Sequence, residues 1–291
     1  MNVDTPMLLC ALTPEEIVRE LKSLPSAPKV LPRLKRLLGD GNSSMHEIVS
    51  LVRLDPGIAA RVLHVANSAY FSKGVRCLTV EEAVHRVGYD EVYALVSYAV
   101  AAQVLVRPLS AYELHADELW RMSVACALAA EMIAECSGQD RDVAYTIGLL
   151  HGVGMVAIDE WAARTGRQLL LPSAGFPRES TSSERVELGF TQAEAGGALL
   201  HAWDFPPAMS EPVRHQYSPR ASSGHAKMAC LLYAAKWLRS TICARTPLAR
   251  PGTPEIMYLQ PLGLTPQTLA SFAPEIAKRL NEVISRLKVD E

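Results

Sequence analysis

Apolar residues recur along this chain at the three- and four-residue spacing of helices. Ile48, Leu51 and Val52 share one face, and after Pro56 the stripe resumes with Ile58, Val62, Leu63 and Ala66. Leu119, Val124, Leu128, Met132 and Ile133 approximate a second stripe, and Ile276, Leu280, Val283, Ile284 and Leu287 a third. At 3.6 residues per turn such positions line one side of a helix. Alternation at period two, bounded by turn dipeptides, is sustained nowhere. The pattern predicts an all-α fold.

Helix punctuation agrees. Thr13-Pro14-Glu15-Glu16 combines a capping hydroxyl, a proline at the first helical position and a glutamate that reaches back to the cap. Ser44/Glu47, Thr79/Glu82 and Thr191/Glu194 repeat that capping-box spacing, while Asp55-Pro56 and Thr265-Pro266 are further cap-and-start pairs. Arg107-Pro108-Leu109-Ser110 interrupts the helical pattern and predicts a joint between an N-terminal helical lobe, 1–110, and a second lobe, 111–291. Tyr93–Val106 is too apolar to face water all round, so the lobes are expected to pack together. The stretch 172–183 reads as a loop, and 245–263, with four prolines, as a second irregular segment.

A chain of 291 residues buries enough surface to hold a core without disulfides or a structural metal. Its 29 basic and 31 acidic residues leave a net charge of -2, so no global positive field collects phosphates, and nucleic-acid binding gains no support. A cluster at Lys22, Lys29, Arg33, Lys35 and Arg36 reads as a solvated face. The six cysteines lack metal or disulfide spacing, and Cys126, Cys136 and Cys230 fall in apolar helical stretches as small buried hydrophobes. No export signal opens the chain, and the apolar runs near 93–106 and 144–158 are too short to span a membrane. A cytoplasmic location is the expectation.

Neither a phosphate-cradling Gly-x-x-x-x-Gly-Lys-Ser/Thr loop nor a Gly-x-Ser-x-Gly elbow is present. Gly148, Gly152 and Gly154 lie in an apolar helical region without a preceding strand, and are expected to permit close packing or to mark a bend.

A longer order of residues carries a family resemblance. Leu24-Pro25-Ser26-Ala27-Pro28 leads to Leu54-Asp55-Pro56-Gly57, then Asn67-Ser68-Ala69-Tyr70-Phe71, Thr79-Val80-Glu81-Glu82-Ala83 and Val87-Gly88. Leu119-Trp120-Arg121, Gly148-Leu149-Leu150-His151, Glu194-Ala195-Gly196 and Leu262-Gly263-Leu264-Thr265 continue it. This order resembles the HDOD domain over about residues 15–288. HDOD domains are bacterial helical modules related to the HD and HD-GYP metal-dependent phosphohydrolases. Asp55, Pro56, Asn67, Ser68 and Tyr70 carry the family motif, each with a structural role as the first reading.

The hydrolases hold metal with histidines and aspartates from several helices, and the metal lowers the pKa of bound water. The resemblance places Met122 where the first histidine would be and gives His151-Gly152 in place of a His-Asp doublet. Met155 stands at a lysine-like position, Gln192 where a histidine is common, His215-Gln216 for a double histidine, and Lys236 near an expected aspartate. Only His151 and His215 remain as vestigial ligand candidates, a poor set for a hard divalent ion. The resemblance therefore implies no catalytic residue, no metal and no cofactor. It implies a regulatory protein of signal transduction whose partners are other signalling proteins, with a cyclic dinucleotide or other nucleotide as an alternative ligand. The rival expectation is a metal-dependent phosphohydrolase or cyclic-nucleotide phosphodiesterase with a rearranged site.

Overall fold

The structure is a computed structural model that describes residues 12–21, 49, 62, 66–67, 71, 77–88, 92, 105–171, 181–222, 224–244 and 251–287. Asp55, Pro56, Ser68 and Tyr70, the Lys22–Arg36 cluster and the Ser44/Glu47 pair lie outside the described residues. The described chain is helical throughout, and its one β-type pairing is an isolated bridge between Leu109 and Leu114.

Local sequence starts the helices as expected. Helix α1 (Pro14–Glu20) opens with a full capping box, in which Thr13 Oγ accepts from Glu16 N and the Glu16 carboxylate accepts from Thr13 N. In α2 (Val80–Val87) Thr79 caps Glu82 N, but the Glu82 carboxylate accepts from Leu78 N, one residue before the cap. The core is built on α3 (Glu118–Ser137), whose buried residues run from Leu119 to Ala134 and include five alanines, a serine and a cysteine. Such small side chains let neighbouring backbones come close. Against α3 lie α4 (Arg141–Leu150), the long α9 (Ala226–Ile242) and the terminal α12 (Ala273–Leu287). A cap at Asp140, whose carboxylate accepts from Asp142 N and Val143 N, starts α4. In α12, Ile276 and Leu280 are buried, and Val283 and Ile284 pack at the margin of the core.

A second layer holds α5 (Val153–Thr165), α6 (Ser182–Leu188), α7 (Gln192–Ala202) and α8 (Pro207–Arg214). Helices α5 and α7 touch backbone to backbone: a Cβ added at Gly154 would sit 1.8 Å from Gln192 O. Helix α1 crosses this layer, with Glu15 paired to Arg214 at 3.0 Å and Glu20 accepting from Trp161 Nε1 at 2.8 Å. After the break at Pro108, a single 3-10 turn, Ser110–Tyr112, is tied to α5, because Ala111 N donates to the buried Asp159 carboxylate at 2.8 Å. The last elements are α10 (Ile256–Leu259), a 3-10 turn at Gln260–Leu262 and α11 (Pro266–Ser271).

Three sequence expectations change, and one left open is decided. The loop expected over 172–183 gives way to α6 already at Ser182. Helix α10 and its following turn occupy part of the irregular segment 245–263, where Leu259 and Leu262 find the core. The apolar run 144–158 divides into two helices at His151-Gly152, so that of the two roles left open for its glycines Gly152 takes the bend. Cys136 is exposed near the end of α3, while Cys126 and Cys230 are buried as expected.

Candidate functional site

The break between α4 and α5 falls at His151-Gly152. Gly148, one turn earlier, allows α4 to meet α3: a Cβ there would lie 2.7 Å from Ala127 Cα. This contact sets His151 deep inside the molecule, 1% exposed. Its Nδ1 lies 2.7 Å from Gly148 O, so that nitrogen carries the proton. The lone pair of Nε2 then faces Arg239 Nη1 at 3.1 Å and accepts from it. Burial, reinforced by the nearby Arg239 and Lys236 charges, pushes the imidazole well below its ordinary range and keeps it neutral.

Around the ring the fold gathers Met122, Met155, Gln192, Glu184, Tyr217 and Arg239, which with His151 line a cavity of about 10 Å³. Four positions singled out in the sequence, Met122, His151, Met155 and Gln192, thus meet in one place. At Gly152, which stands where the resemblance places the paired carboxylate, a side chain would displace Leu119. Its added Cβ would sit 2.8 Å from Leu119 Cδ1. Lys236, on the neighbouring face of α9, is fully buried, with Nζ 3.2 Å from the centroid of the Tyr217 ring. Burial first, then the Arg239 charge, lowers its pKa well below the usual lysine range, with Glu184 acting in the opposite direction.

Sequence reasoning missed three wall residues: Glu184, Tyr217 and Arg239. Glu184 accepts from Tyr112 Oη at 2.9 Å and from Gln192 N at 2.8 Å, linking the Ser110–Tyr112 turn to the start of α7. Burial raises its pKa to about 7, although both hydrogen bonds and the Lys236 charge favour the carboxylate. Tyr217 accepts a hydrogen bond from Gln192 Nε2 at 3.0 Å.

His215 does not join this cavity. It lies in an adjoining open cleft of about 550 Å³ with Arg185, Glu194, Arg214 and Glu255, and Tyr217 borders both spaces. His215 Nε2 is 3.4 Å from Glu211. Its neighbour Gln216 is the residue that reaches the site, donating to the backbone oxygens of His151 at 3.0 Å and Val213 at 2.9 Å. Asn67 pairs its side-chain amide with both backbone groups of Cys77, at 2.7 and 3.0 Å. That contact ties two chain segments together and is a structural role.

The donors present do not fit a divalent metal. His151 offers a lone pair that Arg239 already occupies. Both Glu184 oxygens are engaged, and two basic side chains stand beside the cavity where like charge would repel a cation. Among the described residues no group of three or more His, Cys, Asp or Glu is arranged to hold an ion.

The profile of the HDOD domain matches residues 24–219 of the chain. An uncharacterized protein of Treponema pallidum (strain Nichols) is 27% identical over 210 residues, 70% of this chain and 40% of that protein. A crystal structure from Marinobacter aquaeolei VT8, named for signal transduction, superposes with a TM-score of 0.67 at 23% identity, over 94% of this chain and 60% of that one. A second, from Shewanella amazonensis SB2B and named as a phosphohydrolase, gives 0.64 at 21% identity, over 96% and 99% of the two chains. The chain thus spans 40% of the Treponema relative and 60% of the Marinobacter chain. At these identities the solved structures establish a common all-helical fold, and their names diverge on chemistry. The profile match covers well over half of the sequence: the chain belongs to the HDOD domain family.

Proposed function

We propose that this HDOD protein is a non-catalytic component of signal transduction that acts by binding other proteins. The observation that carries the reading is the rewired centre, where Arg239 Nη1 takes the His151 Nε2 lone pair at 3.1 Å. A hydrolase of this superfamily needs an ion there to make a nucleophile from water at neutral pH. The cavity of about 10 Å³ has room for roughly one water molecule and none for a phosphate ester. The name of the Marinobacter neighbour is consistent with signalling.

The open cleft beside Tyr217 has a volume within the range of roughly 300–1,000 Å³ that small-molecule ligands occupy, so a nucleotide is the alternative ligand. Pull-down from the native cell with the full chain as bait, paired with calorimetry against cyclic dinucleotides, tests the two forms of binding.

A phosphohydrolase with a rearranged site is the second reading. It draws on the Glu184 carboxylate in the cavity wall and on the name of the Shewanella neighbour. A panel of phosphate mono- and diesters, assayed with Mg²⁺, Mn²⁺ and Ni²⁺, separates the readings. Non-catalytic function predicts no turnover above the metal-ion blank. Turnover that vanishes in Glu184→Gln establishes the rival.

A further inference from the structure

We propose that the cavity beside His151 is a binding site for one ordered water molecule, held by Arg239 and Gln192. The inference deepens the non-catalytic reading and rests on it, because it assigns a neutral occupant to the centre where the resemblance would place an ion.

Two buried polar atoms carry it. Arg239 Nε and Gln192 Oε1 have no hydrogen-bond partner, and both residues line the same cavity. The first is a donor in every protonation state. The second belongs to an amide whose other end, Nε2, is 3.0 Å from Tyr217 Oη. If the amide is turned over, Oε1 accepts from Tyr217 and Nε2 becomes the end without a partner. Water serves either orientation, since it both donates and accepts. Buried polar groups of this kind are normally satisfied by protein or by such a molecule.

Size and charge choose water over an ion. The cavity measures about 10 Å³, close to the least space that holds a single water. A cation would meet the Arg239 guanidinium at the only imidazole lone pair. An anion would meet Glu184 on the same wall. Neither objection applies to a neutral molecule. Without a metal this water keeps its ordinary acidity and is no nucleophile at neutral pH. Its role is to complete the polar core.

Near-atomic crystal structures of the full chain test the site, with one crystal form grown in MnCl₂ and another in NaBr. The expected result is a single non-anomalous peak within hydrogen-bond reach of Arg239 Nε and the Gln192 amide. In Gln192→Leu that peak should be lost or displaced. A dry cavity, a bromide signal, or a peak unmoved in Gln192→Leu overturns the water site and leaves the non-catalytic reading standing. A manganese signal in the cavity overturns both.

Discussion

Arg239 and His151, one on α9 and the other at the end of α4, form a hydrogen bond of 3.1 Å in which the guanidinium donates to Nε2. With Nδ1 committed to Gly148 O, the ring has no free nitrogen. Histidine ligation in metalloenzymes uses one nitrogen for the metal and the other for an orienting acceptor. In this protein Nδ1 has such an acceptor in Gly148 O, and the Arg239 guanidinium occupies Nε2.

This contact sets the titration of His151. A ring held neutral by burial and two neighbouring cations should not protonate near its ordinary value of 6.5. Its folded pKa lies below the unfolded one, so the unfolded chain binds an extra proton as pH falls below about 6.5, and the contribution to stability declines there. NMR titration should show the His151 ring signals unmoved as pH passes through 6.5. Arg239→Leu should move its midpoint upward. A His151 midpoint near 6.5 in the intact protein contradicts the account.

Glu184 gives the next pH dependence, of opposite sign and in an overlapping window. Its folded pKa of about 7 exceeds the ordinary 4.5, so the native state retains a proton that the unfolded chain loses between those values. The Glu184 contribution to stability is therefore fully present below 4.5 and declines as pH rises to about 7, by roughly 2–3 kcal/mol. Tyr112, Lys236 and Glu194 are the titratable groups that face it. Glu184→Gln should flatten this decline, with a pH-independent cost of about 1–3 kcal/mol for the acceptor lost to Gln192 N. Denaturant midpoints measured from pH 4 to 8 read both effects, and an unchanged slope would count against them.

Restoring the doublet carboxylate should fail. Gly152→Asp places a Cβ 2.8 Å from Leu119 Cδ1 and buries a charge beside the packed α3. A loss of about 2–4 kcal/mol is expected, with no gain in metal binding. Adding Leu119→Ala should relieve the overlap but leave a cavity. If Gly152→Asp proves neutral in urea denaturation, position 152 has more freedom than its packing indicates.

Gly154→Ala probes the contact of α5 with α7. Its new methyl would overlap Gln192 O at 1.8 Å, where backbone has to move. Destabilisation of about 4 kcal/mol or more is expected, with loss of soluble protein at 37 °C. Thermal melts and soluble yield measure it. Gly138→Ala is a control for glycine replacement without overlap, since nothing lies within 4 Å of its added Cβ, although its φ of +66° carries its own strain.

Elements set by local chemistry were legible from the sequence. The capping boxes at Thr13 and Thr191 form as spaced, because both partners lie within one turn. The positions Met122, His151, Met155 and Gln192 were legible through the family resemblance and converge on one cavity. What stayed hidden depends on distant segments. Glu184 sits in a seven-residue helix beside a Ser- and Thr-rich stretch and reads as a surface glutamate, yet Tyr112 and the α7 amide enclose it. Arg239 follows Lys236 by three residues on α9, and nothing in that spacing says that it turns inward to a histidine on α4. The division of 144–158 at His151-Gly152 was partly legible, since its glycines left a bend or close packing open and both occur, the bend at Gly152 and the packing at Gly148 and Gly154.

Manganese binding by the full chain, followed through the EPR signal of free Mn²⁺, tests the absence of a catalytic centre most directly. A guanidinium on the imidazole, an engaged carboxylate and a one-water cavity predict that titrated Mn²⁺ stays free, and that His151→Ala behaves alike. One equivalent taken up tightly by the intact protein and released in His151→Ala would contradict the account.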